Sequence, residues 1–202
     1  MSQTGSRKAA SQDRRAAILQ AMLELIAERG FHDTPMSMVS QRSGASAGII
    51  YHYFDNKEEL IHSLYTEVKI DYTRALMQDH PENLPPAQAF RQIWLKGYQY
   101  HREHPQETLF MEQFENAPYF EKHPQVPETE EALSRMLALF STPEGKFKDL
   151  PLEVLWEMSL GVASRVARQE HLSGSLGLDA QKLDLMALAC WQAVSEQPSA
   201  QS

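Results

Sequence analysis

The chain reads as all-α, about nine helices in two parts: a three-helix N-terminal head built around a helix-turn-helix, then a larger helical body. Three observations predict this. Apolar residues recur at three- and four-residue spacing in most segments and nowhere alternate over the length of a strand. Glycine, serine, threonine and asparagine stand where helix ends need caps, and from Pro81 onward proline punctuates the helical pattern. The charge is also divided. The net charge is −8, yet residues 1–57 hold seven Lys/Arg against five acids, +2, leaving 12 basic and 22 acidic groups, −10, for the remainder. A basic head on an acidic body is the asymmetry expected when only the head approaches phosphates.

Taken in order, residues 1–12 are small and polar and read as a disordered tail. The first helix is expected from Asp13 to Arg29, with Ile18, Met22, Leu25 and Ile26 on its apolar stripe and Gly30 as a left-handed C-terminal cap. Thr34 is the expected N-cap of a short second helix with Pro35 at its first position; Val39 and Ser40 face inward and Gly44 ends it. Ser46 caps a third helix reaching Phe54, which buries Ile50 and Phe54. Asp55 or Asn56 caps a fourth from Lys57 toward Gln78. Further helices are expected at Pro86–Arg102, Gln106–Asn116, Glu128–Phe140, Leu152–Glu170 and Asp179–Glu196, with a proline-rich loop at 117–127. Domain boundaries follow: 13–57 for the head, 58–197 for the body, and a second tail at 198–202.

Two short helices joined by Gly44-Ala45-Ser46, the second with a polar outer face, have the pattern of a helix-turn-helix, whose second helix enters the major groove. From the chemistry alone, Tyr51 offers a hydroxyl to a phosphate. Lys57 places a cation at a helix start where backbone N–H groups also favour an anion, and Ser37 projects from the second helix. Arg7, Lys8, Arg14 and Arg15 would add backbone or minor-groove contacts. The stretch RRAAILQAMLELIAERGFHDTPMSMVSQRSGASAGIIYHYFDNKEEL resembles the N-terminal domain of the TetR family of regulators. Its matching pieces are Glu28-Arg29-Gly30-Phe31, Gly44-Ala45-Ser46-Ala47-Gly48, Ile50-Tyr51, Tyr53-Phe54 and Lys57-Glu58-Glu59-Leu60. The resemblance implies that Ser46, Ala47, Gly48, Ile49, His52 and Tyr53 lie at the DNA surface, most of them at base edges. Ala47 and Ile49 stand where the family often has Lys and Thr, so apolar contact with thymine methyls replaces hydrogen-bond readout there.

The resemblance further implies a homodimer on a palindromic operator in double-stranded DNA, released by a small-molecule inducer, and control of efflux or detoxification genes. The dimer face is expected on two stripes of the last helices, Leu155, Met158, Val162 and Val166, and Leu183, Ala187, Cys190 and Val194. A mostly apolar ligand would sit among Tyr65, Trp94, Tyr98, His101, Phe110, Met111, Phe114 and Trp156. Glu112 and Glu115 nearby would favour a cationic one.

Other classes are disfavoured. There is no Gly-rich phosphate loop, nucleophile elbow or metal-ligand cluster, so neither a cofactor nor catalysis is expected. His101 and His104 are one turn apart but lack a third ligand. Cys190, the sole cysteine, reads as a buried small hydrophobe, with a redox sensor as the alternative. No apolar run approaches the ~18 residues of a membrane span, and no secretory leader is seen, which predicts a cytoplasmic protein. An activator, a metal sensor, a nucleoid protein binding without sequence preference, or a small helical enzyme are the rival readings.

Overall fold

The computed structural model describes residues 3–79, 81–117, 127–142 and 145–196, the first seven of these through their backbone only. The loop 118–126 with His123, the tail 198–202 and the side chains of Arg7 and Lys8 lie outside the described residues. Among the described residues the fold is all-α apart from a hairpin of two two-residue strands and one isolated bridge, Phe147 with Ser195, and no described helix is long and apolar enough to cross a membrane. Two compact units are distinguished, Met1–Val68 with Leu109–Pro124, and Lys69–Thr108 with Gln125–Ser202.

In the first unit α1 (Gln3–Arg29) packs on α2 (Met36–Ser43) and α3 (Ala47–Tyr53). Ile18, Met22, Leu25 and Ile26 are its buried stripe, as their spacing predicts. The helix begins ten residues before Asp13, so most of the expected disordered tail is helical. Arg7, Lys8, Ala9 and Ala10 are good helix formers, and extending a helix already nucleated by packing costs little. Gly30 takes a left-handed φ of 80° and its N–H donates to the Ile26 carbonyl at 2.7 Å. Thr34 is not the N-cap of α2. Its hydroxyl donates backward to the Gly30 carbonyl at 2.8 Å, and Pro35 occupies the cap with its carbonyl accepting from Met38 N at 3.0 Å. The end of α1 left a buried acceptor closer to hand than the N–H groups of α2.

The turn is fixed by short polar links. Gly44 closes α2 at φ 69°, Ser40 Oγ donates to the Ala45 carbonyl at 2.6 Å, and Ser46 Oγ accepts from Ile49 N at 3.4 Å as the N-cap of α3. Arg42 forks onto Glu28 at 2.9 and 3.0 Å and reaches Glu24 at 3.1 Å, pinning α2 to α1. The Arg42 guanidinium holds the Glu28 carboxyl below its ordinary pKa. At the start of α4 (Lys57–Leu76), Asn56 Oδ1 accepts from Glu59 N at 2.8 Å while the Glu59 carboxylate accepts from Asp55 N, a reciprocal cap.

The second unit is organised on α5 (Pro86–Glu103), which lays Phe90, Ile93, Trp94 and Tyr98 against α9 (Leu160–Ser173) and α10 (Ala180–Val194). The single helix expected over Leu152–Glu170 is two, α8 (Leu152–Glu157) and α9, broken at Met158-Ser159. The cause is tertiary. Ser159 leaves helical backbone at φ −128°, ψ −93°; its hydroxyl donates to the Leu155 carbonyl at 2.5 Å, and its carbonyl accepts from Trp94 Nε1 at 3.2 Å. α7 (Pro127–Ala138) leads into the hairpin of β1 (Ser141–Thr142) and β2 (Gly145–Lys146), which no alternation in the sequence announces. It is followed by chain that pairs with the end of α10, Lys148 N donating to the Val194 carbonyl at 2.8 Å. Lys148 Nζ covers the Gln192 and Ala193 carbonyls at 3.2 and 2.6 Å, placing a cation on the negative end of that helix.

Candidate functional site

α3 has two unlike sides. Ile50 and, just past its end, Phe54 are buried against the first unit, and α3 is too short to bury all its large side chains. Tyr51 stands 52% exposed, and Ala47, Gly48, His52 and the capping Ser46 are exposed with it; Ile49 is half-buried at the edge. Ser37 is exposed on α2. Tyr53 leans back: it is half-buried and its hydroxyl pairs with that of Ser11 on α1 at 2.8 Å. The outward face of α3 is thus one aromatic ring, one imidazole and two residues small enough for backbone to approach a surface closely.

The head's cations are less free than their count implies. Lys57 Nζ donates to the Phe31 carbonyl at 2.5 Å, and desolvation lowers its pKa. Arg15 pairs with Glu67 and lies 5.4 Å over the Phe54 ring, while Arg42 is committed to Glu24 and Glu28. Arg14 is exposed.

The residues expected to line a ligand site fall into an aromatic cluster in each unit. In the first, α6 (Pro105–Glu115) contributes Phe110, Met111 and Phe114, all buried. Tyr65 stacks on Phe114 with centroids 4.1 Å apart and donates its hydroxyl to Glu115 at 3.1 Å. Burial and that carboxylate hold the Tyr65 phenol protonated, its pKa raised. Glu115 thus accepts one hydrogen bond from Tyr65. Phe31, following the Gly30 cap, joins the same cluster at 5.9 Å from Phe110 and 6.5 Å from Phe114. Its carbonyl is the one Lys57 holds, so this aromatic cluster and the start of α4 share a residue.

In the second unit Trp94 and Tyr98 stack nearly parallel, 6.1 Å apart, and the Tyr98 hydroxyl meets Glu170. Trp156 stands edge-on to Tyr72 at 6.2 Å, and Tyr72 lies 4.8 Å from the His101 ring. Tyr72, Tyr100 and Thr108 were missed by sequence reasoning. Tyr72 lies two turns beyond Tyr65 on α4, so the same spacing could have found it; Tyr100 sits off the Trp94–Tyr98–His101 stripe of α5, and Thr108 matters only through His101. That imidazole is 5% exposed, with Nδ1 2.9 Å from Thr108 Oγ1. Desolvation, then the nearby charges of Lys69 and His104, pushes its pKa down to about 4. His104 is exposed, stacked on Tyr100 at 4.5 Å. No group of three metal-ligating side chains occurs among the described residues.

The two stripes assigned to a dimer face divide differently. Met158 is exposed and Val162, Val166 and Leu183 are half-buried, but Leu155, Ala187, Cys190 and Val194 are buried within the single chain. The Ala187–Cys190–Val194 stripe is core, and burial raises the Cys190 thiol pKa, which disfavours the reactive thiolate. α10 is apolar on two sides, and its outward side carries Leu185, 66% exposed, and Leu188, 49% exposed. Helical spacing finds both stripes and cannot rank them.

Comparison with known proteins bears on both parts of the chain. The family described as bacterial regulatory proteins, tetR family, matches residues 18–64, and the one described as tetracyclin repressor-like, C-terminal domain, matches residues 85–195. An uncharacterized HTH-type transcriptional regulator of Haemophilus influenzae is 29% identical over 103 residues, 51% of this chain and 55% of that protein, so the match spans about half the length of this curated relative. A TetR family transcription regulator from Marinobacter aquaeolei VT8 superposes with a TM-score of 0.79 at 20% identity, over 94% of this chain and 100% of its own. The transcriptional regulator FadR of Bacillus subtilis, solved in complex with stearoyl-CoA, superposes with a TM-score of 0.63 at 18% identity, over 88% and 95%. At such identities the superpositions speak for the fold. With matches to both family descriptions, the second covering more than half of its length, the chain belongs to the TetR family of DNA-binding transcriptional regulators.

Proposed function

We propose that the protein is a repressor that binds a palindromic operator as a homodimer and is released by a small, mostly apolar ligand. Residues 13–57 read the DNA and 58–197 sense the ligand and dimerise. One observation carries the DNA half of this reading: Ile50 and Phe54 anchor α3 so that Ala47, Gly48, Tyr51 and His52 all face solvent together. A rigid short helix with that face is suited to a major groove. Ser37 and Ser46 add polar contacts beside it, Ile49 and Tyr53 flank it, and Lys57 serves more as a brace than as a free phosphate ligand.

A single such module covers only a few base pairs, so two copies on a two-fold site are needed for specificity. Leu172, Leu185 and Leu188 on α9 and α10 give the second unit an uncovered apolar surface, which a second copy would cover alongside Met158, Val162 and Val166. The ligand half is supported by the two aromatic clusters, and by FadR, a protein of the same fold, holding stearoyl-CoA. Targets in efflux or detoxification of that ligand would follow.

The test is fluorescence anisotropy on operator DNA recovered by selection from random sequence. Nanomolar, sequence-selective binding that weakens as salt is added is expected. Tyr51→Ala should weaken it roughly tenfold, about 1.4 kcal/mol. Equal affinity for selected and random DNA would overturn the reading.

A further inference from the structure

We propose that His101 is a hydrogen-bond acceptor for a neutral ligand, and that it selects a molecule carrying a hydroxyl or amide N–H on an apolar, flat body. The proposal rests on the reading of the protein as ligand-released and names the ligand's chemistry. It starts from a proton count. Thr108 has one hydroxyl proton, and its Oγ1 lies 2.9 Å from the His104 carbonyl, 3.4 Å from the His101 carbonyl and 2.9 Å from His101 Nδ1. Two oxygens 2.9 Å apart need a proton between them and a carbonyl has none to give, whereas Nδ1 can carry its own hydrogen, so the hydroxyl proton goes to the His104 carbonyl. Toward the ring Oγ1 then accepts, which requires the hydrogen on Nδ1. Nε2 is left with a bare lone pair.

That lone pair is buried and has no hydrogen-bond partner among the described residues. Buried polar atoms are almost always paired, so an orphan of this kind marks a place for something that donates. Protonating the ring would convert Nε2 into a donor. Burial and the charge of Lys69 oppose that at neutral pH. The surroundings describe the rest of the guest: the Tyr72 ring at 4.8 Å, Tyr100 at 5.8 Å, and Trp156 edge-on to Tyr72 with Lys69 Nζ 5.6 Å over its indole. A carboxylate offers only acceptors to Nε2. An ammonium could donate, but would enter beside Lys69. An alcohol, phenol or amide meets neither objection.

The experiment uses the full chain with 15N-labelled histidine and three probes of one shape, 2-naphthol, 2-methoxynaphthalene and 2-naphthoate. Long-range 1H–15N spectra of the free protein should show His101 as the Nδ1–H tautomer. Naphthol should bind at least about tenfold more tightly than its methyl ether or the carboxylate, the scale of one well-placed hydrogen bond. It should also shift the Nε2 resonance. His101→Phe, checked for an unchanged helical spectrum, should bind naphthol and the ether alike. An Nε2–H tautomer, naphthol binding no tighter than the ether (including no binding by either), or an ordered water on Nε2 that naphthol leaves in place would each overturn the proposal. Selective binding of naphthol with operator affinity unchanged would support the site and count against ligand release. Release by another compound that leaves the His101 signals unmoved would do the reverse.

Discussion

A hydroxyl proton has one destination, and at Thr34 and Thr108 that destination decides what the neighbouring groups can do. Thr34 is fully buried and its proton satisfies the Gly30 carbonyl at the end of α1. Thr34→Val keeps the shape and orphans that carbonyl, so urea denaturation should show a loss of about 1–2 kcal/mol. At Thr108 the same count leaves His101 a neutral acceptor. The pH dependence follows with a definite sign. The folded pKa of His101 is about 4, below its ordinary 6.5, so the unfolded chain binds the proton more readily. The ring's contribution to stability is therefore complete above pH 6.5 and is lost as pH falls toward 4. Urea midpoints of the wild type and His101→Phe, measured at about pH 7 and about pH 4, should differ in their acid loss by about 3 kcal/mol. Equal acid losses would remove His101 from that role.

Among the elements, the aromatic cluster of Phe31, Phe110 and Phe114 ties α6 to the chain just before α2, and Phe31 is buried within it. Phe31→Ala should cost about 3 kcal/mol by cavity formation and free Lys57 from a well-positioned carbonyl. If the variant instead melts with the wild type, that cluster does not hold the head. A second case is Gly145, where an added Cβ would lie 2.1 Å from Pro86 Cβ; Gly145→Ala should displace the hairpin from α5 and lower the melting temperature. What could be read in advance was local chemistry. Gly30, Gly44, Ser46 and Asn56 act within four residues of themselves, and their types announced their roles. What could not be read depended on distant partners. Ser159 breaks a helix where Trp94, 65 positions away, binds its carbonyl, and Thr34 turns back because α1 ends with an open acceptor. Type and spacing found Trp94, Tyr98, His101 and Trp156 but not Tyr72 and Tyr100, which pack on His101, and Thr108, which sets the state of His101, gave no such signal. On α10 the apolar pattern runs down both sides, so spacing alone does not separate the inner stripe from the outer.

On the scale of the whole molecule, an acidic chain that binds DNA must confine its contacts. The body's charge of −10 opposes a polyanion everywhere except at the head. With Arg15 and Arg42 paired internally, few counterions should be displaced per head, and the salt slope of operator binding should be correspondingly shallow for a dimer. Assembly is the stronger lever. Leu185→Glu with Leu188→Glu places two charges on an outward face of α10 and should leave the fold intact while halving the mass seen by sedimentation equilibrium. Operator affinity should then fall by two orders of magnitude or more, roughly the loss of one half-site's contribution. A monomeric wild type would sink that account.

The pairing of Ser11 with Tyr53 joins the leading segment of α1 to α3. Ser11, within the segment expected to be a disordered tail, thereby holds a side chain of the helix proposed to read DNA. Shortening the protein to begin after Gln12, or replacing Ser11 with alanine, would release a phenol at the edge of the groove-facing surface. The Ser11→Ala protein should then score flanking base pairs differently, with every residue of α3 still in place.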